Sequence, residues 1–276
     1  MTIKIITLCE NTATFGCLAE WGLSMWVETD TFRLLLDTGM TDVAFQNSKR
    51  YNIDFTALDA IVLSHGHLDH TGGLPYILPH AGPVPVYCHP DVFAPKFSAR
   101  HLAADENISI PLDRDALAAD GRTVHLVKEA AEISPGIHLS GEISMETDFE
   151  QLDDHLLTEK NGKHEKDPLR DDLSVAIETE RGLFILLGCA HRGVVNIIRH
   201  FQRVTGEERV YGIAGGLHLS HADDEHIDQV VRFFEKTNIQ KIACSHCTGF
   251  NAASRLKTVF PDRFIHNNSG KRLVFN

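Results

Sequence analysis

Residues 63–73 read Leu63-Ser64-His65-Gly66-His67-Leu68-Asp69-His70-Thr71-Gly72-Gly73. Three histidines and a carboxylate fall between His65 and His70. Neutral imidazole and carboxylate are the ligands that borderline divalent ions such as zinc prefer. The preceding Ala60-Ile61-Val62-Leu63 reads as a short buried strand. If the chain stays extended just past it, His65 and His67 point to the same side. Asp69 and His70 then fall on the next turn, where they can face a second ion from the opposite direction. A polar loop that happens to carry histidines is a fair account of one histidine. It is a poor account of four ligand-type residues at this spacing, directly after an apolar strand.

Outward from this stretch, the chain alternates like strands over Ile3–Leu8, Leu23–Glu28 and Phe32–Leu36. A short helix is expected over Asp42–Lys49, a buried strand at Val84–Tyr87, and further strands from Thr123 to about Leu139. Residues Gln151–Asp172 are highly charged, with Lys-Asn-Gly-Lys-His-Glu-Lys at their centre, and read as a mobile loop near the mouth of a site. The second half repeats strand then helix: Leu183–Leu187 and Gly193–Val204, Val210–Ala214 and Asp223–Lys236, Lys241–Cys244 and Asn251–Phe260. No short repeat and no linker divides the chain, so one domain over 1–276 is expected.

Three later histidines each follow one of these strands. His191 comes after Gly188-Cys189-Ala190, His218 after Gly215-Gly216-Leu217, and His246 directly after Lys241–Cys244 and Ser245. A lone histidine after a strand more often has a structural hydrogen bond. The recurrence shifts the reading toward metal for His191 and His246, and toward metal or substrate for His218.

The 276 residues are 43% hydrophobic, enough for a sizeable core. The net charge of −12 and the 26 scattered Lys and Arg leave no basic stripe, which disfavours nucleic acid. A small anionic substrate stays open, because bound ions supply positive charge that the net charge does not report. No run approaches the roughly 18 apolar residues of a membrane helix. The start lacks a secretory signal, and the six cysteines form no secreted-type framework. A soluble cytoplasmic protein with reduced thiols is expected, acting on a small molecule without membrane partners.

The spacing His-x-His-x-Asp-His resembles the metal-binding signature of the metallo-β-lactamase superfamily. Cys9-Glu10-Asn11-Thr12, Gly22-Leu23-Ser24, Leu36-Asp37-Thr38-Gly39, His89-Pro90-Asp91, Pro135-Gly136-Ile137, Gly141-Glu142-Ile143, Gly188-Cys189-Ala190-His191, Gly215-Gly216-Leu217-His218 and His246-Cys247-Thr248-Gly249 follow in order. Together they resemble the branch named after 7,8-dihydropterin-6-methyl-4-(β-D-ribofuranosyl)aminobenzene-5′-phosphate synthase. Periodicity alone gives mixed α and β; the resemblance implies an α/β fold of αββα four-layer sandwich type. It also implies one or two ions, zinc first and iron or manganese next, bound by His65, His67, Asp69, His70, His191 and His246. Superfamily relatives are often dimers, which makes a homodimer one expected assembly.

Three departures from the family pattern matter. Many relatives carry a bridging aspartate where this chain has Cys189. Either the thiolate coordinates, or His191 substitutes, or one metal position is weak; a buried packing cysteine is the plain alternative. The branch usually has histidine at the position of Trp21, and proline-arginine where Ser144-Met145 stand. Losing those polar groups suggests a less charged or more apolar substrate. Asp171 and Asp172 lie near where the wider family often has another ligand, but read as solvated loop carboxylates. The Cys244–Cys247 pair has no second pair to complete a structural zinc, so both cysteines are expected to pack.

The reading is a metal-dependent hydrolase whose ions activate water as hydroxide. Asp69 binds one ion and orients the nucleophile. Asp37 holds a ligand histidine from behind. Thr248 and Gly249, and less directly Thr71-Gly72-Gly73, offer groups to an anionic substrate. The alternatives are a transferase that joins a pterin methyl group to an aryl acceptor with loss of pyrophosphate, and a non-catalytic metal or ligand sensor.

Overall fold

Alternation along the strands sorts the apolar residues onto two faces, and both faces are covered. In Arg33–Leu36, Leu34 and Leu36 pack with Val175, Phe184 and Leu186 of the opposing sheet. Leu35 packs on the other side with Ala44, Leu74 and Ile77 of two helices. In Gly182–Leu187 the odd positions Leu183, Ile185 and Leu187 meet helical Ile197, Phe201, Val230 and Phe234, while Phe184 and Leu186 face the first sheet. Strands buried on both faces read as continuous apolar runs. The result is helix, sheet, sheet, helix: the αββα sandwich, with apolar clusters filling the three spaces between layers.

The computed structural model describes residues 1–100 and 106–276. The first sheet runs, in spatial order, Arg272–Phe275, Ile3–Cys9, Ser24–Glu28, Arg33–Leu36, Ala60–Val62, Val86–Cys88 and Val124–Leu126. Its last four strands are mutually parallel. The second sheet runs Phe264–His266, Lys241–Ser245, Val210–Gly216, Gly182–Leu187, Ser174–Thr179, Ile137–Leu139 and Ala131–Ser134, and its first four strands are parallel. Helices Val43–Arg50 and Leu74–Ala81 cover the first sheet; Val194–Thr205, Asp224–Thr237 and Phe250–Val259 cover the second. The strands and helices of the second half lie within one or two residues of their sequence-based bounds. Among the described residues no helix is long and apolar enough to cross a membrane.

The charged stretch 151–172 departs from its expected loop. Leu156–Lys160 and Lys163–Lys166 form a hairpin with Lys160 opposite Lys163. Asn161 and Gly162 make the turn with φ of 53° and 73°, which suits the two-residue turns that match strand twist. The hairpin joins Lys96–Ser98 and Glu106–Asn107 in a third, four-stranded sheet. Lys163–Lys166 is exposed along its whole length, so the strand carries no apolar alternation to reveal it.

Candidate metal centre

Each ligand-type residue lies just beyond the C-terminal end of a parallel strand. Asp37 follows Arg33–Leu36, and His65 to His70 follow Ala60–Val62. Cys189 and His191 follow Gly182–Leu187, His218 follows Val210–Gly216, and His246 follows Lys241–Ser245. Register aligns these ends: Leu36 is opposite Val62, Leu187 opposite Gly215, and Gly216 opposite Ser245. Crevices beyond such strand ends are where open α/β sheets place ligands.

The chain leaves Ala60–Val62 extended, and then makes one helical turn at Leu68–Thr71. His65 Nε2 lies 3.0 Å from His67 Nδ1 and 3.2 Å from His191 Nε2. On the other side, His70 Nε2 lies 3.2 Å from His246 Nε2, and Asp69 Oδ2 is 3.3 Å from His246 Nε2. Cys189 Sγ is 3.1 Å from His70 Nε2, and also belongs to a convergent group with His65 and His191. Around a tetrahedral zinc with Zn–N of about 2.0–2.1 Å, neighbouring nitrogens stand about 3.3 Å apart. The nitrogens are thus spaced as ligands of common ions, and the donor set fits a borderline metal. The structure brings together His65, His67, Asp69, His70, His191, His246 and Cys189.

The far sides of these rings are held. Asp37 is fully buried; it accepts from Ser64 N and from Ser64 Oγ, both at 2.7 Å, and its Oδ2 lies 2.7 Å from His70 Nδ1. Ser64 Oγ is 2.9 Å from His65 Nδ1. Asn11 Oδ1 is 2.9 Å from His246 Nδ1, and Glu10 accepts the His246 backbone N–H at 2.7 Å. Such contacts fix ring orientation and tautomer. Glu10 and Asn11 stand in a motif visible in the sequence, but only a contact across more than 230 positions reveals their role.

Backbone strain gathers here too. Leu169, Ala190, His218 and His246 have φ between 47° and 59°, and are the described residues other than Gly, Asn and Asp in the left-handed region. Gly188 has no room for a side chain, because a Cβ would meet Ser64 Oγ at 2.2 Å.

Burial pushes His65 well below its ordinary range, helped by His70, His67 and His191. Burial likewise carries His67 down to about 3 and His191 well down. These rings are neutral, the form that coordinates metal. Burial would lower His70 too, but Asp69 and Asp37 hold it up at about 9. Asp69 is held below the ordinary carboxylate range against the effect of burial, chiefly by His70 and His246.

Asp171 and Asp172 are completely buried, which corrects their reading as solvated loop carboxylates. Asp171 accepts the Gly66 N–H at 2.9 Å and pairs with the buried Lys96 at 2.7 Å; Lys96 also pairs with Asp167 at 2.8 Å. Asp172 accepts the Arg192 N–H at 2.8 Å, and burial raises it to about 7. Lys96 carries no local signal in the sequence, yet it anchors the carboxylate under the metal loop. Lys96→Met should cost about 3–5 kcal/mol, because it leaves buried carboxylates without a cation. Urea unfolding would measure this, and a loss under 1 kcal/mol would refute the anchoring role.

A cavity of about 500 Å³ opens above the ligand cluster. Trp21, Met40, Leu68, Ile108 and Leu156 give it apolar walls, and Arg100 and His155 stand at its side. The Trp21 ring lies 5.2 Å from the His246 ring. His155 and Leu156 bring the 151–172 segment to the mouth, as its position in the sequence suggested. His218 also lines the cavity, with Nε2 2.5 Å from Asp153 Oδ2. Burial would lower its pKa, but Asp153 and Cys247 carry it up to about 10.

Thr248 and Gly249 are not among the cavity-lining residues. The buried Thr248 hydroxyl donates to Ser245 O at 2.7 Å and accepts from Leu217 N at 3.1 Å, so it is occupied in bracing two loops. Gly72 and Gly73 serve close packing: a Cβ would meet Met40 O at 2.1 Å and Thr38 O at 2.0 Å. The two cysteines expected to pack differ in fact. Cys244 packs in the helix-side core, whereas Cys247 forms a convergent group with Cys189 and His218.

The family model described as Metallo-beta-lactamase superfamily matches residues 22–246. The chain belongs to that superfamily. Superfamily membership carries a metal-dependent, hydrolase-type fold. The chain is 34% identical to the 7,8-dihydropterin-6-methyl-4-(beta-D-ribofuranosyl)-aminobenzene-5'-phosphate synthase of Methanocaldococcus jannaschii, over 99% of this chain and 97% of that one. It is 30% identical to an uncharacterized protein of the same organism, over 98% of each. Among solved structures it resembles Tm1679, described as a metal-dependent hydrolase of the β-lactamase superfamily, with a TM-score of 0.85, 27% identity and 98% coverage of both chains.

Proposed function

We propose that this metallo-β-lactamase-fold chain is a metal-dependent hydrolase of a small, anionic, partly apolar substrate. The observation that carries the reading is the pair of ligand groups sharing Cys189 at the floor of an apolar-walled cavity. His65, His67 and His191 would hold one ion; Asp69, His70 and His246 the other; the Cys189 sulfur converges with both groups and would ligate as thiolate once an ion displaced its proton. Zinc suits this set best, with iron next because of the thiolate. When bound, such ions lower the pKa of water toward neutrality and polarise the substrate.

The chain's own residues do the rest. Asp69 is ionised and partly exposed to the cavity, where it can accept a hydrogen bond from the attacking water and orient it. Trp21 and Met40 cover an apolar part of the substrate, and Arg100 meets its anionic group. At about 500 Å³ the space suits a small molecule and not a polymer. The acidic surface favours neither nucleic acid nor an anionic membrane, and we read residues 1–276 as one cytoplasmic unit able to act without either.

The similarity to a synthase favours a second reading, in which an aryl acceptor rather than water takes the group transferred from a pterin pyrophosphate. Both readings are tested by giving the metal-loaded protein lactones, phosphodiesters and a pterin pyrophosphate, with and without an aryl amine. We expect product without the amine, abolished by a chelator. Turnover that requires the amine would replace hydrolysis by transfer. No turnover at full metal occupancy would leave a sensor.

A further inference from the structure

Beside the paired ligand groups stands a third set, of which the hydrolytic reading uses Cys189 alone. Cys247 Sγ, His218 and Cys189 Sγ present ligand atoms within 4.8 Å of one another. His218 carries the decisive feature. Its Nε2 is engaged by the Asp153 carboxylate, while its Nδ1 is buried and makes no hydrogen bond of normal geometry among the described residues. A carboxylate behind one ring nitrogen, with the other aimed at open ligands, is the arrangement that prepares a histidine to bind metal. His70 shows the same logic in this protein, with Asp37 on one nitrogen and the other turned to the ligand cluster.

The backbone is shaped for the same placement. His218 holds φ at 52°, a conformation that L residues rarely adopt. Gly216 leaves room where a Cβ would lie 2.5 Å from Cys247 Sγ. Cys247 Sγ also approaches the Cys189 carbonyl at 3.4 Å, which turns the thiol toward Cys189. With Zn–S of about 2.3 Å and Zn–N of about 2.0 Å, tetrahedral ligands stand about 3.3–3.8 Å apart, so small side-chain movements would close this set on one ion.

We propose that Cys189, His218 and Cys247 form a third metal position, for a thiophilic ion such as zinc, next to the paired centre and sharing Cys189 with it. Two thiolates and one imidazole match the charge and softness of such an ion. All three residues line the cavity, so a fourth coordination place faces substrate or solvent. An ion there would draw an anionic group toward the His218 wall. Metal binding would displace the protons held by these groups.

The test is titration of metal-free protein with Co²⁺, with ions counted per chain and thiolate-to-cobalt absorption recorded. We expect one ion beyond those of the paired positions. In Cys247→Ser the count should fall by one, and the absorption by about half as one of two thiolates is lost. His218→Ala should also lose that ion. Wild-type protein gives an arm that needs no variant: Co²⁺ should protect Cys247 from iodoacetamide. His65→Ala/His67→Ala should keep this protection while losing an ion of the pair, which separates failure of this site from failure of the hydrolytic centre. An unchanged count in Cys247→Ser would overturn the proposal. So would equal alkylation of Cys247 in wild type with and without metal, read under conditions where the metal-free protein reacts at Cys247.

Discussion

His65→Ala/His67→Ala should bind at least one ion fewer per chain than wild type and lose hydrolytic turnover by a factor on the order of 10³ or more, because metal activation is worth several kcal/mol of barrier. The fold should survive. Neither ring belongs to the apolar clusters between the layers, and both are neutral groups crowded by other histidines. Ligand-linked stability supplies a second readout. A chelator should lower the melting temperature of wild type, since ions held by the assembled site favour the folded state over the unfolded chain, and should affect the double variant much less. Elemental analysis and thermal unfolding check both parts. Full metal occupancy in the double variant would remove the site assignment.

Asp37→Ala should weaken metal binding by about 10–100-fold, as expected when the carboxylate behind a ligand histidine is lost. It should also destabilise the fold. The Ser64 N–H would be left buried without an acceptor, at about 1–3 kcal/mol. Alanine at φ of 58° adds about 1–2 kcal/mol. Asp37→Asn separates the two effects. Asparagine tolerates the left-handed backbone and can still accept from Ser64 N, so stability should largely return. It cannot replace the anion facing His70 Nδ1, so affinity should stay low. Chelator competition and urea unfolding on both variants give the result, and wild-type affinity in Asp37→Asn would show that His70 is oriented by something else.

How far the sequence speaks depends on how local each contact is. His65 to His70 declare themselves because one strand end and one helical turn place all of them. Cys189, His191, His218 and His246 are legible because each follows an apolar run, and sheet register then brings those strand ends together. Lys96, Asp153, Glu10 and Asn11 act through partners scores or hundreds of positions away, and nothing near them in the chain announces this. The hairpin at 156–166 escaped because its charged residues obscure alternation, although Asn161-Gly162 is a strong hairpin-turn signal. The helix Leu74–Ala81 carries prolines at 75 and 79; the first suits an opening turn, the second reads as a breaker. Cys244 and Cys247 are both buried as expected, but the chain turns after Lys241–Ser245, so Cys244 lies in the helix-side core and Cys247 at the cavity wall, a difference their spacing does not reveal.

Glu10 and Asn11 grip His246, and Ile3–Cys9 pairs with Arg272–Phe275. During synthesis on the ribosome the first histidines therefore emerge long before the loop that completes their cage. Contacts of such sequence separation form late and slow folding. Ion capture at this site would thus belong to the closing stage of chain maturation, because a nascent chain carries only a fragment of the ligand set.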